Sequence, residues 1–335
     1  MNFQELIKQK EYRFLYDDPH LGKNLLFVCI YGSYAYGTNR PESDIDIRGV
    51  ALDNVSSLIG LDNFEQYQDK ETDTVIYSFS KFVRLARQNN PNIIELLFLE
   101  KEHYLYISPL GQILLDNRHI FLCRRSYYTF RGYANEQRNR LENALARNED
   151  ISTKRDKIEH INRSVDNVLT AYKIKNHLGE DSIKSRVNDD LDIVLDIEVK
   201  GLSYQDFKGL NAELANTINS YQVVKENKPA PKDDKHLNKH MMHLVRLYLE
   251  GTEILEKSDF HVYQKEHVGL LNDIRDGKYR REDGQLSDEF ITLLNDLEKK
   301  FQIASSNSKL PKEADNEKIN ELVDLIYRKG LFHED

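Results

Sequence analysis

The chain opens on a loosely helical pattern. Phe3, Leu6 and Ile7, then Phe14 and Leu15, recur near a 3.6-residue period, which predicts a short amphipathic helix over residues 3–16. Pro19 and Gly22 mark a turn. Leu25–Tyr31 is then an unbroken apolar run rich in β-formers, the pattern of a buried central strand. It stops at Gly32-Ser33. Asp44-Ile-Asp-Ile-Arg48 alternates polar with apolar, as a half-buried strand does. Period two places Asp44, Asp46 and Arg48 on one face and Ile45 and Ile47 on the other. Asp73–Ser78 predicts a third strand. A helix follows with Phe82, Val83, Leu85 and Ala86 inside. Asn90 then caps a new helix with Pro91 at its first position. That helix carries Ile93, Ile94, Leu96, Leu97 and a lone acid, Glu95.

From about residue 108 the strand signal fades. Helical patterns are predicted over 108–116, 124–147, 154–178, 204–221, 236–257, 286–302 and 314–328. Residues 181–200 fit neither period cleanly, 224–235 have the composition of an exposed linker, and 304–313 form another loop. The expected fold class is α+β: a small mixed β-sheet core in residues 1–110, then a mostly α-helical part over 111–335. Within the helical part, residues 148–235 stand out as a divergent or inserted section.

Composition narrows the possible functions. A hydrophobic fraction of 39% supports a real core, and 31% charged residues imply a strongly solvated surface. The net charge of −9 argues against extended, non-specific binding of nucleic acid and leaves only a local basic groove. Cys29 and Cys123 are far apart and fit no metal spacing, so two reduced thiols are expected. No basic segment with an apolar follow-on opens the chain, and no apolar run approaches the roughly 20 residues that span a bilayer. A cytoplasmic protein with no membrane partner is the expectation.

The chemistry concentrates between Gly32 and Gly49. A turn of small residues after a buried strand can aim backbone N–H groups at phosphate. Gly32 allows close approach, and Ser33 adds a hydroxyl donor. Asp44 and Asp46 on one strand face supply the oxygen ligands that Mg²⁺ prefers. Nucleotidyl transfer needs a compensated triphosphate, an acidified acceptor hydroxyl and a stabilised pentavalent phosphorus, which two divalent ions supply. A third carboxylate would complete the second ion's site. Asp73 heads the third strand and is the favoured candidate, with Glu71 the competitor two residues earlier. Asp-x-Asp alone, or Gly-Ser alone, is more often an ordinary solvated surface. The informative feature is their combination, with ten residues between Ser33 and Asp44.

Gly32, Ser33, Asp44 and Asp46 resemble, position by position, the pattern of the DNA polymerase β-like nucleotidyltransferase superfamily. Gly32–Gly37, the Asp73–Tyr77 strand, Asn90–Leu97, Lys239–Arg246, Ile274–Tyr279 and Leu310–Asp315 with the following Asn320-Glu-Leu resemble its RNA repair pathway DNA polymerase β subfamily. The resemblance implies a catalytic core in residues 1–110. It also implies transfer of an NMP from an NTP to an acceptor hydroxyl, with pyrophosphate leaving and two Mg²⁺ ions, or Mn²⁺, as cofactor. It gives the third carboxylate, Asp73 or its competitor Glu71, the part of binding the second metal and helping to deprotonate the attacking hydroxyl. The acceptor it points to is an RNA 3′ end of tRNA type. Two rival readings stay open: nucleotidylation of a protein or small-molecule hydroxyl, and a nucleotide-binding regulator without turnover.

Other residues carry a functional and a plain reading side by side. Lys239, His243 and Arg246 share one helix face. They either contact the nucleotide or form a polar rim over Leu244 and Leu247. His240 and His243 make a poor metal pair for Mg²⁺, which avoids imidazole. Glu95 needs a partner if buried. Arg124, Arg125, Arg131, Arg138 and Arg140 lie among Tyr127, Tyr128, Phe130 and Tyr133, a mix that either follows an RNA backbone or forms a solvated helix face.

Overall fold

In the computed structural model, described residues are 3–148, 154–175, 234–282, 284–331 and most of 178–217. The expected linker 224–235 lies almost wholly outside them, and the expected helix 204–221 lies partly outside them. By contacts the chain forms two compact units, residues 1–138 with 238–335, and residues 139–237. The division expected at 110 falls inside the first unit, and the section 148–235 falls wholly in the second.

The first unit is built on a five-stranded sheet. Its strands are β1 (Leu25–Tyr31), β2 (Asp46–Ala51), β3 (Gln66–Asp69), β4 (Thr74–Ser78) and β5 (Tyr104–Ile107), in the order β3-β4-β2-β1-β5. The sheet is mixed: β2 and β4 run parallel and the other neighbours antiparallel. β1 is buried along its whole length, as its apolar sequence requires. Val28 and Ile30 pack in one cluster with Leu6, Ile7, Leu15, Ile47 and Ile76. Phe27 meets Phe82 and Tyr104 edge-on, at ring separations of 5.9 and 5.7 Å. The expected α+β class is therefore the observed one.

The differences from expectation have physical causes. The N-terminal helix is three short pieces, the 3₁₀ turns Phe3–Lys8 and Lys10–Tyr12 and a helix α1 (Phe14–Asp17). Leu6, Ile7, Tyr12 and Leu15 are all buried, and at 3.6 residues per turn they would point around a single straight helix. β3 and β5 lie at the sheet edges. β3 is Gln-Tyr-Gln-Asp, so it offers no apolar run to read.

Helices α2 (Val55–Ile59), α3 (Phe79–Arg87), α4 (Pro91–Leu97) and α5 (Pro109–Asp116) connect or flank the strands. Two long helices follow, α6 (Ser126–Asn148) and α7 (Lys154–Lys175). In the second unit α7 buries Ile161, Val165, Leu169 and Tyr172, one face at helical spacing, with Ile183 of a hairpin β6 (Ile183–Val187) and β7 (Ile193–Ile197). The ambiguous stretch 181–200 is thus that hairpin.

Back in the first unit lie α8 (Asp234–Lys257) from Asn238 onward, α9 (Val268–Arg275), α10 (Asp288–Asn307) and α11 (Asn316–Leu331). Asp53, just past β2, joins α11 to the start of α3. It is buried and accepts from the N–H of Ser80 at 2.8 Å, its hydroxyl at 2.8 Å and the Tyr327 hydroxyl at 2.7 Å. Both cysteines are free and buried. Among the described residues no helix is long and apolar enough to cross a membrane.

Because a hydrogen bond to a charged group contributes about 1.5–3 kcal/mol, Tyr327→Phe should lower stability by about that amount. Urea unfolding would show a lower midpoint at an unchanged slope. An unchanged midpoint would mean that α11 is not anchored through Asp53.

Candidate active site

The last rung of the β1–β2 ladder pairs Tyr31 with Asp46. Gly32 follows with φ of +65°, a conformation that favours glycine, and its backbone lies against the Asp46 carboxylate so closely that a Cβ there would collide with it. Strand and turn therefore meet at a fixed point. The turn is closed by three backbone bonds: Tyr36 N–H to Gly32 O, Gly37 N–H to Tyr34 O and Thr38 N–H to Ser33 O. The N–H groups of Ser33, Tyr34 and Ala35 take no part in these three.

The strand ladder begins at Asp46, so Asp44 stands in the exposed segment just ahead of it. Ile45 and Ile47 both pack on the N-terminal core cluster, as period two expects, although the ladder starts two residues late. The parallel rung between Ile47 and Thr74 brings Asp73 level with Asp46. Asp73 adopts φ of +44°, which a short polar side chain tolerates. Glu71 is exposed in the β3–β4 turn, with its N–H bonded to Asp69.

Arg48 spans the two carboxylates. It lies 3.4 Å from an Asp46 oxygen and 3.3 Å from an Asp73 oxygen, and it also donates to the backbone oxygens of Asp73 and Ile47. Its guanidinium stands 5.8 Å from the Tyr31 ring centre. Burial and the adjoining Asp73 carboxyl push the Asp46 carboxyl up to about 6, with Arg48 and Lys239 pulling the other way. Arg48 was not singled out for a role in the sequence, although it lies on the same strand face as the acids.

Among the described residues no group of three or more His, Cys, Asp or Glu side chains is arranged to hold a metal ion. The carboxylates that converge are Asp46 and Asp73. Two adjoining oxygen donors, one pushed toward protonation, form a pair short of positive charge. That fits a hard divalent ion such as Mg²⁺, which takes few protein oxygens and completes its shell with water and phosphate.

Lys239, His243 and Arg246 share one face of α8 but have different surroundings. Lys239 is exposed and acts electrostatically on Asp46. His243 packs edge-on to Tyr36, 6.1 Å between ring centres. Burial and the positive charges of Arg246, Lys239, His240 and Arg275 hold its imidazole well below the usual range. Arg246 is only 3% exposed and is enclosed by protein groups. It donates to Glu95 and to both oxygens of Glu250, each at 2.8 Å, and lies 3.9 Å from the Tyr36 ring centre. His240 meets Gln137 at 2.9 Å.

The arginine–tyrosine set on α6 is largely engaged internally. Arg131 and Arg138 lie 3.6 and 3.0 Å from Glu298, Tyr133 accepts from Asn90, and Phe130 is buried. Arg124, Arg125 and Tyr128 are exposed. Asn272 and Arg275 of α9 carry no local sequence signal of their role, although Arg275 lies in the Ile274–Tyr279 segment. Arg275 donates to Thr38 O, and Asn272 donates to Gly37 O at 3.2 Å, so α9 holds the far end of the turn.

The model of the RNA repair pathway DNA polymerase beta family matches this chain over residues 2–165. That stretch is what this chain shares with the family, and it amounts to just under half of the 335 residues. The match covers Gly32, Ser33, Asp44, Asp46, Asp73 and Glu95, and ends before Lys239, His243 and Arg246. The family's chemistry is that of polymerase β-like nucleotidyltransferases in RNA repair. No curated protein and no solved structure matches the chain.

Two outcomes follow from the geometry. Gly32→Ala places a side chain at positive φ, which costs about 1–2 kcal/mol, and it also displaces Asp46. Urea unfolding should register that loss, and unchanged stability would show that the close approach is not tight. For Asp46, the folded value near 6 lies above the ordinary 3.8. Folded protein then holds this proton more tightly than the unfolded chain, so this group's contribution to stability falls as pH rises between those values. In metal-free protein the stability difference between wild type and Asp46→Asn should change across that window, with wild type losing ground as pH rises. A pH-independent difference would rule the shift out.

Proposed function

We propose that this protein transfers a nucleoside monophosphate from an NTP to the 3′ hydroxyl of an RNA. The observation that carries this reading is the seating of Asp46 against Gly32, beside Asp73 and within the field of Lys239. A carboxylate pair, a small-residue turn and a lysine then border one place. The family match over residues 2–165 supports the chemistry, and the family's link to RNA repair supports the acceptor.

The Gly32–Ser33 turn binds β- and γ-phosphate oxygens through N–H groups and the Ser33 hydroxyl. Lys239 offsets the triphosphate charge. His243, held neutral, borders the pocket. Asp44, Asp46 and Asp73 are the residues that would hold two Mg²⁺ ions, or Mn²⁺. At such a site the metal supplies charge neutralisation and an acidified acceptor hydroxyl. The acceptor oxygen forms a bond to the α-phosphorus as the bond to the bridging α–β oxygen breaks and pyrophosphate leaves. Asp73 takes up the hydroxyl proton. In the absence of metal, Arg48 offsets part of the charge on Asp46 and Asp73.

The test is incubation with each α-labelled NTP, Mg²⁺, total RNA and total protein. Label that survives protease but not ribonuclease is the expected result. Label in protein, or binding without transfer, would overturn the RNA acceptor or the catalysis respectively. Asp46→Asn and Asp44→Asn should each lower incorporation by about a thousandfold or more while the chain stays folded. Full activity in either variant would sink the mechanism.

A further inference from the structure

A buried polar cluster lies directly behind the turn. Tyr31, at the end of β1, and Tyr36, within the turn, both donate to one oxygen of Glu95, at 2.6 and 2.8 Å. The other Glu95 oxygen accepts from Arg246 of α8 at 2.8 Å. Arg246 also reaches Glu250, one turn further on, and its guanidinium covers the Tyr36 ring. Glu95 and Glu250 are fully buried. This guanidinium is already occupied by two carboxylates and a ring, with 3% exposure, so it is badly placed to meet a nucleotide.

We infer that Arg246, Glu95 and Tyr36 form a positioning relay, through which α8 fixes the phosphate-binding turn without touching the nucleotide. The inference rests on the nucleotidyltransferase reading above and assigns these residues a part in it. Lys239 and Arg246 lie seven residues apart, two turns of one helix face. One end of that face presents a cation near Asp46, and the other end holds the turn from behind. The spacing between lysine and turn is then set by a single rigid element. Asn272 and Arg275 hold the turn at Gly37 and Thr38, so the relay acts on a loop whose far end is already fixed.

The chemistry of the links favours positioning over simple burial. Tyr36 carries two of them, a hydroxyl bond to Glu95 and a ring face under Arg246, and both restrict the backbone beside Ser33. Such pre-organisation lowers the ordering cost of binding. Losing it should therefore appear in the capture of nucleotide more than in the chemical step.

The test uses the full chain and Tyr36→Phe, which keeps the ring and removes the hydroxyl. Glu95→Gln is the second variant, retaining shape and an acceptor. The readouts are thermal melting, steady-state kinetics with NTP varied, and hydrogen exchange of the peptide containing Ser33–Tyr36. Tyr36→Phe should melt cooperatively and exchange faster in that peptide. Its KM for NTP should rise about tenfold with kcat held within about threefold. Glu95→Gln should move KM in the same direction and further.

Wild-type KM in a folded Tyr36→Phe protein would overturn the relay and leave the nucleotidyltransferase reading intact. A loss confined to kcat would also overturn it. No NTP turnover by wild type would instead overturn the reading on which the relay's function rests. The exchange data would then still report whether the mechanical link exists.

Discussion

The Arg246 guanidinium is held away from water, and two carboxylates meet it there. Burial alone would favour the neutral form, but Glu250 and Glu95 more than offset that and keep its pKa well above the ordinary value. Glu250 has the opposite problem. Burial and the adjoining Glu95 push it well above the usual carboxylate range, against the pull of Arg246. A cluster of this kind tolerates few rearrangements, because removing one partner of a buried pair typically costs about 3–5 kcal/mol. Turn, strand end, α4 and α8 are therefore tied to one another wherever this cluster forms.

Tyr31 links that cluster to the acid pair. Its hydroxyl binds Glu95, its ring lies near Arg48, and its backbone pairs with Asp46. Two charged groups of opposite design thus sit on either side of one tyrosine. Behind it is a closed, buried set joined by direct hydrogen bonds. In front of it is an open set in which Arg48 only partly compensates Asp46 and Asp73. The open set leaves negative charge partly uncompensated at the surface, whereas the closed set pairs its charges with one another.

Where burial and charge change at short range, the sequence carried the information. β1 is readable because seven successive apolar residues can only be buried, and the Asp46 face because the alternation is regular. Glu95 among aliphatics required a partner, but nothing local names a residue 151 positions away. Arg246 was readable as part of a helix face and not as an interior cation, since periodicity shows which residues share a face and not what covers it. β3 was hidden because Gln-Tyr-Gln-Asp offers no apolar run, β5 because four residues are too short to show a period, and the β6–β7 hairpin because its alternation is interrupted by charge. The arginines of α6 looked like a surface for RNA until Glu298 supplied partners for two of them.

The separation of Glu95 from Arg246 also sets an order of events at the ribosome. At about 5–20 residues per second, synthesis takes roughly 8 to 30 seconds to cover the 151 residues between them. At the start of that interval β1 to β4, the turn and both tyrosines have been made, while the guanidinium that Glu95 binds has not. All of residues 139–237 emerge in the same interval. The second unit is therefore fully synthesised while the first still lacks the guanidinium that closes it.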